Sequence, residues 1–301
     1  MRVLHIVPGL DEVGNGISVA AWLIASAQGA RVVDAKCVSR ALLEEADEVW
    51  VHSMWTLPVI RACRLALKAG RPLVRMLHAC VDPLRLRYHG WRKWLVGPVE
   101  RRLLRRADRL VATCEAEKGW IESYLGKRCP PIEVVDIKRF FNLDALDSVN
   151  PVNPAKKGLN ILYLGRRHPL KGVKFLEAAV SQIEKKTAPQ RLCARIISNA
   201  YGDELERVWN WCDVLVLPTL SENFGLVVAE ALERGKRVIT TDGAQAWECE
   251  CNVESDKCET GDAGAIWQGH GGRLVYLKGY RDGSDEKRVE LLRSAIERFC
   301  G

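Results

Sequence analysis

The chain has 301 residues, of which 48% are hydrophobic and 28% are charged, and it carries a net charge of +7. This length exceeds what one hydrophobic core usually serves and predicts two domains, while the composition excludes a disordered chain. The sequence shows no signal-peptide pattern and no run of about 18 apolar residues. We therefore expect a cytoplasmic protein in which the eleven cysteines are reduced thiols.

Short apolar runs alternate with helical stretches along the first half of the chain. In chain order, the predicted strands are VLHIVP, RVVDAKCV, EVWVHS, PLVRMLH, RLVATC and IEVVD, and the predicted helices lie near 17–27, 57–69 and 115–125. Strands that are buried on both faces read as continuous apolar runs. Their alternation with helices predicts a doubly wound parallel sheet.

A segment rich in proline and asparagine, DSVNPVNPAKKG at 147–158, interrupts this alternation and has the composition of a linker. The pattern then restarts with the strands NILYLG, LCARIIS, VLVLP and RVITT, which are separated by helices near 173–186, near 204–211 and after 225. We therefore predict two α/β domains, 1–150 and 151–301.

The stretch LVLPTLSENFGLVVAEALERGKRVITTD, residues 215–242, places two glutamates close to a strand end. A proline ends the strand, a helix is predicted to begin near Gly225, and Gly235 provides its C-terminal stop. Glu222 lies in the loop at the strand end, where open α/β sheets bind ligands and where the helix start favours an anion. Glu230 lies inside the apolar helix and needs a partner, which is either a ligand hydroxyl or a lysine or backbone amide.

This stretch resembles the E-x7-E motif of retaining GT-B glycosyltransferases, the large group often called family 4. The resemblance covers the strand, both glutamates, the Phe-Gly-Leu turn and the glycine after the helix. It implies two Rossmann-like domains that face a cleft, with an acceptor-side domain at 1–150 and a shortened donor domain at 151–301. It also implies that Glu222 faces the donor sugar and that Glu230 accepts from the ribose hydroxyls. The backbone amides that would approach the sugar and the diphosphate are those of Asn223, Phe224, Gly225 and Leu226.

A second motif, ILYLGRRHPLKG at 161–172, resembles the G-R-x-x-x-x-K-G loop of the same family. By that resemblance, Arg166 and Lys171 bind the diphosphate of a nucleotide-diphospho-sugar donor. Two fixed cations can stabilise the charge of a departing diphosphate, so no metal and no other cofactor is expected.

The N-terminal half carries weaker signals of the same kind. Its first glycine loop, with Gly14 and Gly16, resembles the family's loop that faces the diphosphate and the acceptor. His78 follows a strand at the position where the family has a histidine near the transferred sugar, and His52 fits this pattern less well. The expected catalytic set is Glu222, His78, Arg166 and Lys171.

A basic segment at 85–109 contains nine lysines or arginines against two acids. Such a stretch, interleaved with tryptophan and leucine, is typical of binding to an anionic membrane surface, and a solvated basic helix is the plain alternative. Nucleic acid is less favoured, because no nucleic-acid-binding signature accompanies the segment. The residues predicted to face the membrane are Trp91, Arg92, Lys93, Trp94, Arg101, Arg102, Arg105 and Arg106.

Two further segments qualify the prediction. The cysteine-containing stretch ECECNVESDKCE, 248–259, fits no zinc pattern, so no metal site is predicted there. Only NAYGDELERVWNWCD lies between LCARIIS and VLVLP, where the family usually has another strand and helix, and the C-terminal tail is short. The sugar, the nucleobase and the oligomeric state are therefore left open.

We expect a retaining glycosyltransferase that transfers a sugar to a hydroxyl of a glycan or lipid-linked acceptor, in the synthesis of cell-surface polysaccharide or lipopolysaccharide. The inner face of the membrane is its expected site of peripheral attachment. A nucleotide-sugar epimerase or phosphorylase on the same fold stays open as an alternative, as does a non-catalytic sugar-binding protein. The intact cationic and acidic motif residues argue against the last of these.

Overall fold

The computed structural model describes residues 1–10, 16–88, 90–143, 158–185, 192–251, 259–261, 264–269 and 273–300. The chain divides into two compact units, Met1–Phe140 and Phe141–Gly301. Each unit contains one mainly parallel sheet with helical connections, so the prediction of two α/β domains is confirmed. The predicted boundary at 150 and most of the predicted linker lie outside the described residues.

The first unit contains a six-stranded sheet in the order β2-β1-β3-β4-β5-β6, and every strand pair in it is parallel. Its strands are β1 Val3–Val7, β2 Arg31–Asp34, β3 Glu48–His52, β4 Leu73–Met76, β5 Arg109–Ala112 and β6 Ile132–Val134. Its helices are α1 Gly16–Gln28, α2 Arg40–Glu44, α3 Leu57–Lys68, α4 Pro83–Arg87, α5 Gly90–Leu104 and α6 Glu115–Leu125.

The core of the first unit lies against its three central strands. Every residue of β1, β3 and β4 is buried, which explains their continuous apolar runs. Helix α3 adds Val59, Cys63 and Ala66 to this core, and these residues recur with helical spacing.

One predicted strand of the first unit is shorter than expected. The run RVVDAKCV was predicted as one strand, but β2 ends at Asp34 and Ala35–Cys37 form a turn of 3-10 helix. The reason is the Asp34 carboxylate, which accepts from the amide of Lys36 at 2.7 Å and from the amide of Leu10 at 2.8 Å. These bonds cap the turn and end the strand.

The second unit contains a seven-stranded sheet in the order β11-β12-β13-β10-β9-β7-β8. Strands β8, β7, β9, β10 and β13 pair in parallel, and β12 and β11 extend the sheet in antiparallel fashion. The strands are β7 Leu159–Leu164, β8 Leu192–Ile197, β9 Val214–Val216, β10 Arg237–Thr241, β11 Glu259–Gly261, β12 Gly264–Gly269 and β13 Leu274–Leu277. The helices are α7 Val173–Glu184, α8 Gly202–Trp211, α9 Leu226–Glu233 and α10 Asp285–Cys300.

The structure shows what the two regions that are short for the family, the segment before β9 and the C-terminal tail, form in the second unit. Between β8 and β9 the structure has one helix, α8, as the short connecting segment indicated. The C-terminal end forms α10, which packs against α7, where Asp285 pairs with Lys174 at 2.8 Å. Among the described residues, no helix is both long and apolar enough to cross a bilayer.

Candidate functional site

The loop between β9 and α9 presents the first predicted motif of the second unit. After β9 the chain runs through Pro218 to Gly225, and α9 begins at Leu226 as predicted. Gly225 has a φ of 76°, a left-handed conformation that glycine adopts without steric cost. Gly235, with a φ of 66°, follows the last turn of α9 and fits its predicted role as the stop.

The two predicted motifs of this unit meet at Lys171 and Glu222. The Lys171 ammonium donates to Glu222 Oε2, and the two side chains are only 18% and 17% exposed. The other carboxylate oxygen, Glu222 Oε1, accepts from the amide of Asn223 at 3.0 Å. The cation, the carboxylate and the start of α9 therefore lie in one small, partly buried patch, which favours anions and hydroxyl groups as ligands.

Backbone contacts join the two loops that carry this pair. The amide of Leu220 donates to the carbonyl of Leu170 at 2.8 Å, and the hydroxyl of Thr219 donates to the same carbonyl at 3.1 Å. Gly172 has a φ of 65°, and a Cβ at this position would overlap the carbonyl oxygen of Pro218. Glycine is thus required at 172 because the two backbones approach too closely for any side chain.

Phe224 anchors the Pro218–Gly225 loop from inside the unit. Its ring is buried and packs on Trp247 at 5.3 Å and on Phe141 at 6.1 Å between ring centroids. Its carbonyl accepts from the Trp247 indole at 2.6 Å. The Phe224 side chain therefore positions the loop, and the part of Phe224 that the sequence analysis assigned to ligand binding is its backbone amide.

Glu230 lies half-buried on the second turn of α9. Burial raises the pKa of its carboxyl group; Arg234 opposes this effect and Glu233 adds to it. The Arg234 guanidinium donates to the backbone carbonyl of Glu230 at 3.2 Å and pairs with Glu206 at 3.0 Å. Within the described residues, no hydrogen bond or ion pair engages the Glu230 carboxylate, so these residues do not supply the partner that the sequence analysis required.

Arg166, the other predicted cation, is exposed on the loop after β7. Its backbone carbonyl accepts from the Tyr163 hydroxyl at 2.9 Å, which fixes the start of this loop. The structure therefore places Lys171 against Glu222 and leaves the Arg166 side chain on the surface of the same loop. Gly16 is the first residue of α1 in the other unit, and Gly14 lies outside the described residues.

In the first unit, the loops after β3 and β4 hold four non-glycine residues in left-handed conformations. Ser53, Trp55, His78 and Ala79 have φ values of 68°, 75°, 54° and 57°. Such conformations cost of order 1–3 kcal/mol each and persist only where the surroundings enforce them. They mark the carboxyl edge of this sheet, which is where ligands bind in open α/β sheets.

Three buried ionisable side chains, which the sequence analysis did not assign, hydrogen-bond to the backbone at three of these four positions. The guanidinium of Arg75 donates to the carbonyl of Ser53 at 2.8 Å and lies 3.4 Å from Glu100 Oε2, while Glu100 Oε1 accepts from the amide of Trp55 at 2.8 Å. The buried carboxylate of Glu117 accepts from the amide of Ala79. The sequence signal that could have revealed Arg75 is a charged residue inside an otherwise apolar strand, LVRM in β4.

His78 is buried and belongs to a chain of three histidine rings. His78 Nε2 lies 2.8 Å from His52 Nδ1, and His52 Nε2 lies 2.9 Å from His5 Nδ1. His5 Nε2 lies 2.8 Å from the Gln28 side-chain oxygen at the end of α1. The prediction that His78 follows a strand end is correct, and its ring is linked through His52 of β3 and His5 of β1 to Gln28 of α1.

The basic segment runs from the end of α4 through α5 to the first residue of β5, and its residues divide into two groups. Trp91, Trp94 and Leu95 are 64%, 78% and 60% exposed and lie on one face of the helix. Lys93 does not join this surface, because its ammonium turns inward to the Arg85 carbonyl. The interleaved leucines, at 103 and 104, are buried in the core.

Four arginines near the end of this segment are exposed, namely Arg101, Arg102, Arg105 and Arg106. Two of them also contact the fold: Arg101 stacks on the Tyr124 ring at 4.4 Å, and Arg105 donates to the carbonyl of Leu125 at 2.8 Å. Arg102 and Arg106 are the exposed arginines of this group that remain for the predicted membrane surface. The prediction for the side chain of Arg92, like most of the cysteine-containing stretch at 248–259, falls outside the described residues.

Comparison with known protein families identifies both halves of the chain. The profile described as glycosyl transferase 4-like domain matches residues 5–136, and the profile described as glycosyl transferases group 1 matches residues 187–265. Both matches are to glycosyltransferase families, and together they support the family 4 type of GT-B glycosyltransferase that the sequence resembles. The resemblance found in the sequence is confirmed at the level of the family.

Individual relatives agree with this assignment. A D-inositol 3-phosphate glycosyltransferase from Paenarthrobacter aurescens (strain TC1) is 27% identical over 234 residues, which are 66% of this chain and 52% of that protein. The chain thus spans about half the length of this curated relative.

Solved structures show the same fold. A sucrose-phosphate synthase from Thermosynechococcus elongatus superposes with a TM-score of 0.63 at 14% identity, over 99% of this chain and 90% of the other. An α,α-trehalose-phosphate synthase (UDP-forming) from Burkholderia xenovorans, in complex with glucose-6-phosphate, gives 0.60 at 11% identity, over 99% and 92%. The GT-B fold with two Rossmann-like domains is thereby confirmed.

Proposed function

We propose that the protein is a retaining glycosyltransferase that transfers a sugar from a nucleotide-diphospho-sugar to an acceptor hydroxyl. The observation that carries this proposal is the meeting of Lys171 and Glu222 beside the N-terminus of α9. A helix N-terminus and an ammonium group suit a diphosphate, and a carboxylate suits the hydroxyl groups of a sugar. Both kinds of partner are present within one partly buried patch.

Glu230 extends this patch to the nucleoside. Its carboxylate is desolvated, and the described residues provide it with no hydrogen bond, so each ligand hydroxyl that donates to it would recover lost solvation. The two hydroxyl groups of a ribose provide two such donors in a fixed geometry. We therefore assign Glu230 to the ribose of the donor.

Chemistry at the diphosphate requires cations but not a metal in this proposal. Lys171 and the exposed Arg166 would neutralise the charge that develops as the nucleoside diphosphate departs. The bond from the anomeric carbon to the phosphate oxygen breaks, and the acceptor oxygen bonds to that carbon on the same face. The departing phosphate oxygen takes the proton of the acceptor hydroxyl, so configuration is retained without a carboxylate nucleophile.

The first test is a thermal-shift screen of nucleotide-sugars that carry uracil, guanine and adenine. A ligand at 100 times its Kd stabilises the protein by about 2.7 kcal/mol, which is a clear shift in Tm. The best donor is then incubated with candidate acceptors, including D-inositol 3-phosphate, and the product is examined for anomeric configuration. Inversion at the anomeric carbon, or turnover that EDTA abolishes and manganese restores, would refute the mechanism. Hydrolysis or epimerisation without an acceptor would favour the alternative activities.

A second proposal concerns the acceptor and rests on the exposed face of α5. Trp91, Trp94 and Leu95 form an apolar face, and Arg102 and Arg106 follow it along the chain. Apolar groups with cations beside them are typical of helices that lie in an anionic membrane interface. We propose that this face binds the inner membrane surface, where lipid-linked acceptors for cell-surface polysaccharide or lipopolysaccharide are glycosylated.

Sedimentation with anionic and neutral vesicles tests this surface. Trp91→Ser/Trp94→Ser should reduce binding to anionic vesicles, and Trp22→Ser is the matched control, because Trp22 is 60% exposed on another helix, α1. Binding should also weaken as salt rises, since the Debye length is only about 10 Å at 0.1 M. Equal sedimentation of the double variant and the wild type would reduce α5 to a solvated helix and favour a soluble acceptor.

A further inference from the structure

The loop that carries Glu222 is held at two points by the segment that follows β10. The amide of Glu222 donates to the carbonyl of Gly243 at 2.8 Å. Further along the same segment, the buried indole of Trp247 donates from Nε1 to the carbonyl of Phe224 at 2.6 Å. The sequence analysis assigned no role to Trp247, yet its side chain reaches the turn from which α9 starts.

The second of these contacts fixes the orientation of a peptide group. The peptide bond between Phe224 and Gly225 is trans, so the carbonyl of the first residue and the amide of the second lie in one plane and point in opposite directions. Gly225 has a φ of 76°, and glycine adopts either sign of φ about equally well, so its own backbone does not select one orientation of this plane. The hydrogen bond from Trp247 selects it, and the Gly225 N–H points away from the indole.

The amides at the start of α9 are available to a ligand. Within the described residues, neither the Gly225 amide nor the Leu226 amide donates a hydrogen bond. Gly225 is buried, and a buried N–H without an acceptor costs free energy that a ligand oxygen would recover. A Cβ added to Gly225 would lie 3.5 Å from Glu222 Cγ, so these amides adjoin the ion pair of Glu222 with Lys171. Adjacent N–H groups at a helix start suit the oxygen atoms of a phosphate group.

We propose that Trp247 is a positioning residue for the donor, whose indole N–H holds the peptide before Gly225 so that the amides of Gly225 and Leu226 face the diphosphate. This role rests on the proposed function, because it requires a nucleoside diphosphate at this patch. The Trp247 ring also packs on Phe224, with 5.3 Å between the ring centroids. A phenylalanine ring could supply such packing, whereas only an N–H donor can select the direction of the peptide.

The test is isothermal titration calorimetry with UDP, GDP and ADP, with the Tm of each variant measured alongside. Trp247→Phe removes the N–H and keeps an aromatic ring, and it should raise the Kd of the best-bound nucleoside diphosphate roughly 2- to 10-fold, the range of one neutral hydrogen bond. Trp209→Phe is the matched control, because Trp209 is also buried in this unit and its Nε1 has no hydrogen-bond partner among the described residues. The control loses the same side-chain volume, so its Tm should fall while its Kd stays unchanged.

A third variant, Trp247→His, separates the hydrogen bond from the packing. The imidazole Nε2 can occupy the ring position of the indole Nε1 and can donate to the Phe224 carbonyl, but the second ring of the indole is lost. At about pH 8 the imidazole is neutral. The Tm of Trp247→His should therefore fall at least as far as that of Trp247→Phe, while the affinity for the diphosphate recovers towards the wild-type value.

Each outcome decides the proposal. Equal Kd values for Trp247→Phe and the wild type, or equal losses of affinity in Trp247→Phe and Trp209→Phe, would overturn it, and Trp247 would then be a packing residue only. A folded Trp247→His with no recovery of affinity would overturn it as well, and the two phenylalanine variants decide the proposal where the histidine variant does not fold. Wild-type protein that binds none of the three diphosphates would refute the proposed function together with this role, whereas normal wild-type binding that Trp247→Phe leaves unchanged refutes the role of Trp247 alone.

Discussion

Replacing Lys171 with methionine should weaken the binding of a nucleoside diphosphate strongly. Methionine keeps much of the length of the side chain and removes only its charge and its hydrogen bonds. A hydrogen bond to a charged group contributes about 1.5–3 kcal/mol, so Kd should rise roughly 10- to 150-fold. Lys174→Met is the matched control, since Lys174 lies on the adjoining helix, is 65% exposed and pairs with Asp285. This control should leave the affinity unchanged.

Glu222→Gln should change the same affinity in the opposite direction. In the structure the Glu222 carboxylate forms an ion pair with the Lys171 ammonium, so a diphosphate has to compete with Glu222 for this cation. Exposed ion pairs contribute about 0.2–1 kcal/mol, and this pair is mostly buried, so we take about 1 kcal/mol and expect roughly fivefold tighter binding. Transfer should nevertheless fall, because the variant loses the carboxylate that we propose faces the donor sugar.

The assay is isothermal titration calorimetry with UDP, GDP and ADP, in which no sugar obscures the contribution of the diphosphate. Opposite signs for Lys171→Met and Glu222→Gln are required. Equal affinity of Lys171→Met and the wild type would refute the placement of the diphosphate at this pair. Weaker binding by Glu222→Gln would show that the carboxylate holds the loop rather than competing for the cation.

Glu230→Gln should raise the Tm at neutral pH while it weakens nucleotide binding. Burial raises the pKa of Glu230 in the folded state, so the ionised carboxylate destabilises the fold. The stability of the wild type therefore falls as pH rises from the unfolded-state pKa of about 4.3 through the folded-state pKa. The gain in the free energy of unfolding should be about 0.5–2 kcal/mol and should vanish below about pH 4. The exposed control Glu184→Gln should show no gain, and an equal Tm for the two variants would contradict the prediction. Gly172→Ala should lower the Tm more than Gly126→Ala, as followed by calorimetry. Both glycines have φ near 65°, so alanine at either position costs about 1–2 kcal/mol for its left-handed conformation. Only at position 172 would the added Cβ also overlap the Pro218 carbonyl. Equal losses of Tm in the two variants would show that the loops relax to remove this overlap.

The strand, loop and helix that carry the candidate site of the second unit could be predicted from the sequence because their signals are local. A buried strand, a proline after it, a glycine before the helix and a glycine after it lie within a few dozen residues and each has a direct structural meaning. The resemblance assigned both Lys171 and Glu222 to the donor, but their direct contact was not predicted, since it joins two segments 51 residues apart. The antiparallel strands β11 and β12 were not predicted, because their pairing depends on tertiary context more than on their own composition.

The histidine chain could not be predicted, because it depends on the register of three strands. His5 lies beside Trp50 in the β1–β3 pairing, and His52 lies beside Met76 in the β3–β4 pairing. A shift of either strand by one residue would move these side chains to opposite faces and separate the rings. The sequence showed a histidine near each strand, but the 2.8–2.9 Å contacts between the rings are set by the fold.

The two units fix their functional loops by different physical means, and this difference has consequences for mutation. In the second unit, Gly172 and Gly225 adopt left-handed conformations without steric cost. Because Gly172 has no side chain, the two loops approach closely and are held by hydrogen bonds between their backbones. In the first unit, side chains are present where glycine would be cheaper, as at Ser53, His78 and Ala79, and buried ionisable side chains hydrogen-bond to the Ser53 carbonyl and the Ala79 amide. The cost of placing a side chain there is of order 1–3 kcal/mol per residue, which is large against a marginal stability. Glycine would avoid that cost, so we expect a side chain such as that of His78 to be retained there for function rather than for stability.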